Sequence, residues 1–220
     1  MTEPYITNPS AIAGDSFALI RQELAAAGYR FAAPQADIIE RIIHSTADFD
    51  FAETTRFSPQ AVEAGIATLK NGGRIICDVN MIRVGISQPR VADLGGAIDC
   101  FVAEPVVRQR AGAAGTTRSA MGIRWAAEQG LIEGGLVVIG NAPTALFEAI
   151  KLINEGVRPA LIVGVPVGFI STTESKAALT QVTAVPWITA LGRKGGTPVA
   201  VAVVNALLRL AVDAKAEEVD

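Results

Sequence analysis

Apolar positions along the chain first recur at helical spacing, then break into short solid blocks separated by further helical stretches. Three helices are predicted before the first block. Asn8-Pro9 supplies a capping residue and a first-turn proline, with Gly28 as the stop. Pro34 opens a second helix that runs through His44 and gathers Ile38, Ile39, Ile42 and Ile43 on one stripe. Ser58-Pro59 opens a third, closed by Asn71-Gly72-Gly73. The solid blocks, bounded by turn residues, read as strands buried on both faces: about Arg74–Val79, Ala97–Val102, Leu136–Ile139, Ala160–Val165 and Trp187–Leu191. Helices are predicted between and after them, about Thr117–Gln129, Pro143–Glu155, Thr172–Leu179 and Pro198–Val212, with Gly130 and Gly156 as stop signals. Strands alternating with helices make an α/β fold with a mainly parallel sheet, right-handed crossovers and helices on its faces. No repeat, low-complexity tract or linker interrupts residues 1–220, which read as one domain.

Within this pattern the segment 159–176 stands out. Ala160 to Val165 is a strand between two prolines, and Ser171 with Glu174 reads as a capping box opening the next helix. Gly164, Pro166 and Gly168 lie around the connecting loop. Open α/β sheets build ligand sites from such strand–loop–helix joints, and free N–H groups at the helix start suit an anion. The same features also describe an ordinary βα connection.

Composition narrows the partners. Half of the 220 residues are hydrophobic, 19% are charged and the formal net charge is −3, so the chain is a folded globule without the basic stripe that nucleic acid requires. No apolar run reaches the roughly 18–20 residues of a membrane helix. The leading MTEPYITNPS has neither the charged nor the apolar region of a signal peptide. Cys77 and Cys100 read as buried free thiols, and the expected location is cytoplasmic.

One histidine constrains the chemistry further. His44 is the only imidazole, and neither cysteine has a C-x-x-C neighbour, so no protein-held metal is expected. On a helical wheel His44 falls nearly opposite the isoleucine stripe, beside Glu40 and Asp37, with Arg41 one turn back. It is either a solvated surface residue or one lining a cleft, where an imidazole would be suited to general acid catalysis.

Five stretches carry a resemblance: SFALIR at Ser16, ERIIHSTADFDFA around His44, IGNAPTALFEAI around Asn141, PVGFISTTESK before and through Lys176, and GRKGGTPVAVAVVNAL around Arg193. In this order and identity they resemble the precorrin-8X methylmutase family, also known as precorrin isomerases. The resemblance implies a three-layer α/β/α fold with a five-stranded parallel sheet behind N-terminal helices. It implies a [1,5]-sigmatropic methyl shift from C11 to C12 of a tetrapyrrole (corrinoid) precursor, with no redox cofactor or methyl donor. It also implies His44 as the group that protonates or hydrogen-bonds the ring C nitrogen, Ser16 and Arg41 as substrate contacts, and a homodimer with sites near the subunit interface.

A corrinoid of this class carries many carboxylates, which asks for an apolar floor rimmed by cations. Gly192-Arg-Lys-Gly-Gly196 follows a strand and offers Arg193 and Lys194; Arg118 sits at a helix start. Asn141 most simply caps the helix opened by Pro143. Two other readings stand beside the methylmutase. One is a phosphate- or nucleotide-binding enzyme using the loops at Gly164 and Gly192, although Walker A and G-x-G-x-x-G spacings are absent. The other is a non-catalytic corrinoid carrier. Residues 86–110 carry no assigned role.

Overall fold

The computed structural model describes residues 8–217; the segment on which the reading of no signal peptide rests falls mostly outside them. In chain order the elements are α1 (Pro9–Ala26), α2 (Gln35–Thr46), α3 (Asp50–Thr54), β1 (Thr55–Phe57), α4 (Ala61–Lys70), β2 (Arg74–Cys77), α5 (Asn80–Gly85), α6 (Gln88–Asp93), β3 (Ala97–Asp99), α7 (Pro105–Ala113), α8 (Arg118–Glu128), β4 (Leu136–Ile139), α9 (Pro143–Asn154), β5 (Leu161–Gly164), α10 (Thr172–Thr180), β6 (Trp187–Ala190) and α11 (Thr197–Ala216).

The strands form one sheet in the order β1-β6-β5-β4-β2-β3. β2 to β6 are parallel, and β1 pairs antiparallel with β6 in the register Thr55↔Ala190. The five predicted strands are therefore present, but the expected five-stranded sheet has six. β1 is only Thr-Arg-Phe, too short to carry a period, and it becomes a strand because the open edge of β6 lies beside it.

Alternation along each strand divides the core into two layers. Ile75, Leu136, Val138, Leu161, Val163 and Ile188 face the layer of α1, α2, α4 and α11. Ile76, Val137, Ile139, Ile162 and Trp187 face that of α8, α9 and α10. This is the three-layer arrangement expected of strands buried on both sides. The stripe of α2 is buried as its spacing predicts, with Ile38, Ile39, Ile42 and Ile43 between 0% and 1% exposed. Each contributes about 1.5–3 kcal/mol of apolar burial. Asn8 caps α1 through its Oδ1, which accepts from the Ala11 N–H at 3.2 Å.

Two local expectations are corrected. Ser171 does precede α10, but at φ 60° it sits in the left-handed region and its side chain accepts no capping bond; its carbonyl accepts from the Ser175 N–H at 3.0 Å instead. The N–H groups leading into α9 are met by Asp78, at the end of β2, rather than by Asn141. Its carboxylate accepts from Gly140 N at 3.1 Å, Asn141 N at 3.1 Å and Ala142 N at 2.9 Å. The stretch 86–110 holds the short α6, β3 and α7. Among the described residues no helix is long and apolar enough to cross a membrane.

Candidate active site

His44 lies in the last turn of α2, exposed, on the polar side that the isoleucine stripe leaves free. Its imidazole stacks on the Phe17 ring of α1, centroids 4.7 Å apart and planes 25° from parallel. That contact limits the ring's rotamers, and among the described residues no hydrogen bond occupies its nitrogens. The Arg41 guanidinium approaches the same phenyl ring at 5.7 Å from its centroid.

Arg41 is half-buried, and the carboxylates that would be expected to neutralise it are taken. Asp37 pairs with Arg209, Glu40 with Arg21 at 2.9 Å, and Asp48 with Lys194 at 2.6 Å. Burial, with Arg209 and Arg90 nearby, pushes the Arg41 guanidinium below its usual range, against a smaller opposing pull from Asp37. Phe17, Arg41 and the Asp37–Arg209 and Glu40–Arg21 pairs line a cavity of about 250 Å³, to which Asp48 and Lys194 do not contribute. Among the described residues no carboxylate pairs with Arg41, and a cation so placed is suited to an incoming anion. Ser16, one residue before Phe17, donates its hydroxyl to the Ile12 carbonyl at 2.7 Å, back into its own helix.

A second cluster lies at the carboxyl ends of β5 and β6, the edge where open parallel sheets present ligands. Here the Arg193 guanidinium sits 5.4 Å from the centroid of Phe169. Phe169 and Ile170 are 80% and 83% exposed, an apolar surface beside a cation. Lys194 donates to Asp48 and Asp50, each at 2.6 Å. Asp48 is four residues past His44, so this bridge ties the segment just after α2 to the β6–α11 loop. Lys194 holds the Asp48 carboxyl below its usual range.

The glycine loops are shaped by packing and by protein donors. At Gly164 an added Cβ would meet Leu179 at 2.5 Å and Leu146 at 2.9 Å, so its missing side chain lets α10 and α9 close on the sheet. The carbonyls of Gly192 and Lys194 accept from the buried Lys176 ammonium at 3.1 and 2.5 Å. Burial holds Lys176 down to about 8.

Arg118 opens α8 and is exposed. The preceding Thr117 hydroxyl lies 2.7 Å from that of Thr144, in the first turn of α9, which places Arg118 at the same sheet edge. No described contact joins it to His44 or Arg193. The remaining candidates thus fall into two groups, Ser16–Arg41–His44 and Arg193–Lys194, and Asp48, just after α2, pairs with Lys194. The sequence pattern does not single out Phe17, Phe169 and Lys176, whose side chains touch His44, Arg193 and the loop around Arg193. All three lie inside the quoted motifs, yet an aromatic or a lysine within a motif carries no sign of what it will touch.

The chain is similar to known proteins along most of its length. The family model for precorrin-8X methylmutase matches residues 11–210. The cobalt-precorrin-8 methylmutase of Leptospira interrogans is 44% identical over 205 residues, covering 90% of this chain and 92% of that protein. The precorrin-8X methylmutase of Pseudomonas aeruginosa is 40% identical, covering 92% and 96%. The solved structure of precorrin-8x methyl mutase from Thermus thermophilus superposes with a TM-score of 0.86 at 41% identity, covering 94% of this chain and 98% of that one.

Proposed function

Because the chain belongs to the precorrin-8X methylmutase family, we propose that the rim built on His44, Arg41 and Arg193 is where a corrinoid ring is isomerised. The protein is an isomerase of cobalamin biosynthesis, moving a methyl group from C11 to C12 of precorrin-8X or its cobalt form to give hydrogenobyrinate or cobyrinate. The methyl migrates within one molecule, so the step balances without a methyl donor or an external oxidant.

His44 acts as the proton donor. A proton or strong hydrogen bond delivered to the ring C nitrogen withdraws electron density from the π-system and eases migration of the neighbouring methyl. The observation that carries this reading is the stack of His44 on Phe17, with Arg41, which no described carboxylate pairs, three positions earlier on the same helical face. Arg41 and Arg193 receive carboxylate arms of the substrate, Phe169 and Ile170 its apolar face, and Ser16 and Arg118 serve further arms. Lys194 holds the rim together through Asp48 and Asp50 and meets substrate only at its margin.

The working unit is a homodimer. The cavity of about 250 Å³ beside Phe17 is smaller than the roughly 300–1,000 Å³ usual for ligand sites, and a tetrapyrrole is a wide ligand. A second copy covering Phe169 and Ile170 would wall in the rim. The two free thiols, Cys77 and Cys100, fit a reducing cytoplasm, and the whole chain works as one domain.

The test is direct. Purified protein mixed with hydrogenobyrinate is expected to retain the chromophore through gel filtration, and to convert precorrin-8X to the same absorbance spectrum. Protein that binds no corrinoid and converts none would sink the proposal. Sedimentation that finds only monomer at working concentration would remove the dimer.

A further inference from the structure

Lys176 is fully buried on α10, and among the described residues no carboxylate meets its ammonium. A packing role alone would be filled at lower cost by an apolar side chain, because burying an unpaired charge is expensive. Burial indeed lowers its pKa to about 8. The ammonium must therefore be retained for what it bonds.

Its bonds go to the two carbonyls on either side of Arg193: Gly192 O at 3.1 Å and Lys194 O at 2.5 Å. The carbonyl of Arg193 itself accepts from the Gly168 N–H at 3.2 Å, so three consecutive carbonyls of the loop are held from within the protein. Just beyond, Gly196 N–H donates to Val165 O at 2.8 Å, and a Cβ at Gly195 would stand 2.4 Å from that same oxygen. With the backbone fixed on both sides, the Arg193 side chain is confined to the outer face, over Phe169.

We propose that Lys176 is a positioning residue for substrate binding: from beneath the β6–α11 loop it sets the backbone around Arg193, so that the guanidinium is presented to a carboxylate arm of the ring. The inference rests on reading this rim as a corrinoid site. It assigns Lys176 no contact with the ring and no proton transfer in the reaction. Its effect belongs in binding, transmitted through Arg193.

A double-mutant cycle on the full-length protein tests it. Lys176→Met is expected to raise KM and the Kd for hydrogenobyrinate about tenfold while kcat stays within about twofold; on an Arg193→Ala background the same change should alter Kd less than about twofold. Equal penalties on both backgrounds would mean a general structural role and overturn the proposal, as would an unchanged Kd in a folded Lys176→Met protein. Should Lys176→Met fail to fold, the ¹⁵Nζ signal of Lys176 in the unaltered protein serves instead. A slowly exchanging ammonium peak that shifts on adding hydrogenobyrinate supports the proposal, and a peak unmoved by a bound ligand overturns it. Wild-type protein that binds no hydrogenobyrinate overturns the corrinoid reading itself. Wild-type binding that Arg193→Ala leaves intact overturns only the role given to Lys176 and Arg193.

Discussion

The two sides of the rim are built on opposite plans. On the α1–α2 side the chemical groups are held by an aromatic ring and, among the described residues, left short of polar partners: His44 lies on Phe17, and Arg41 is half-buried with no described carboxylate paired to it. On the β5–β6 side the carbonyls of Gly192, Arg193 and Lys194 are each met from within the protein, and Lys194 is clasped by two aspartates. The contrast follows from the backbone beneath. A helix satisfies its own N–H and C=O groups, so a side chain on it needs only a neighbour to limit its rotamers. A glycine-rich loop has no ladder and must be locked from outside. Preorganisation is reached on both sides by different means.

The largest effect expected from breaking this contrast is chemical. His44→Ala should lower single-turnover methyl migration by about 10²–10⁴-fold while product affinity holds and stability falls by no more than the roughly 0.5–1.5 kcal/mol of the lost stack on Phe17. A rate within threefold of wild type would remove the acid role.

Next comes the lock at the neighbouring strand. Asp78 is 1% exposed and accepts three backbone N–H groups. Asp78→Ala is expected to cost about 3 kcal/mol in urea unfolding, since three buried donors lose their partner. Burial raises this carboxyl above its usual range against the pull of those N–H groups. Asp78→Asn, which keeps an acceptor oxygen, should therefore cost less than Asp78→Ala. Equal costs would mean that the charge, and not the acceptor, does the holding.

The buried lysine gives a pH signature. Its pKa is lowered from 10.5 to about 8 in the folded protein, so between those values the unfolded chain binds more protons. The cost of the buried charge is fully present below pH 8 and is relieved as pH rises. Unfolding free energy of wild type, measured relative to Lys176→Met, should rise by on the order of 2 kcal/mol from pH 8 to pH 10. A flat or falling difference would place the ammonium in a better-solvated state than the structure describes.

The smallest change sharpens the open side. Phe17→Leu keeps bulk but removes the stack, worth about 0.5–1.5 kcal/mol, and is expected to lower kcat about fivefold. Product affinity should fall less, since Arg41 retains its place on α2. A loss confined to affinity would show that Phe17 floors the substrate without orienting His44.

Much of this arrangement was legible beforehand where it rested on period and blocks. The isoleucine stripe of α2 put His44 on the polar side, and the solid apolar blocks marked five parallel strands. Short elements were not legible. Thr55–Phe57 has no pattern of its own, and α5, α6 and α7 are too short or too weakly striped to stand out among residues 80–113. The Ser171–Glu174 spacing suggested a cap that the left-handed backbone at Ser171 does not permit. Asn141 lost its expected task to Asp78, 63 residues earlier in the chain.

The sequence by itself determined the α/β layering, the helical face that carries His44 and, through five motifs, the family. Those properties are set by neighbours along the chain, where spacing alone decides which side chains share a face. Only the tertiary structure decided that Phe17 would bear the imidazole, that Lys194 would be spent on Asp48 and Asp50, and that Lys176 would hold the loop beneath Arg193. Each of these partnerships joins residues 16 to 146 positions apart. Which of several equivalent carboxylates, rings or carbonyls a side chain meets depends on how the layers close, and local spacing does not encode it.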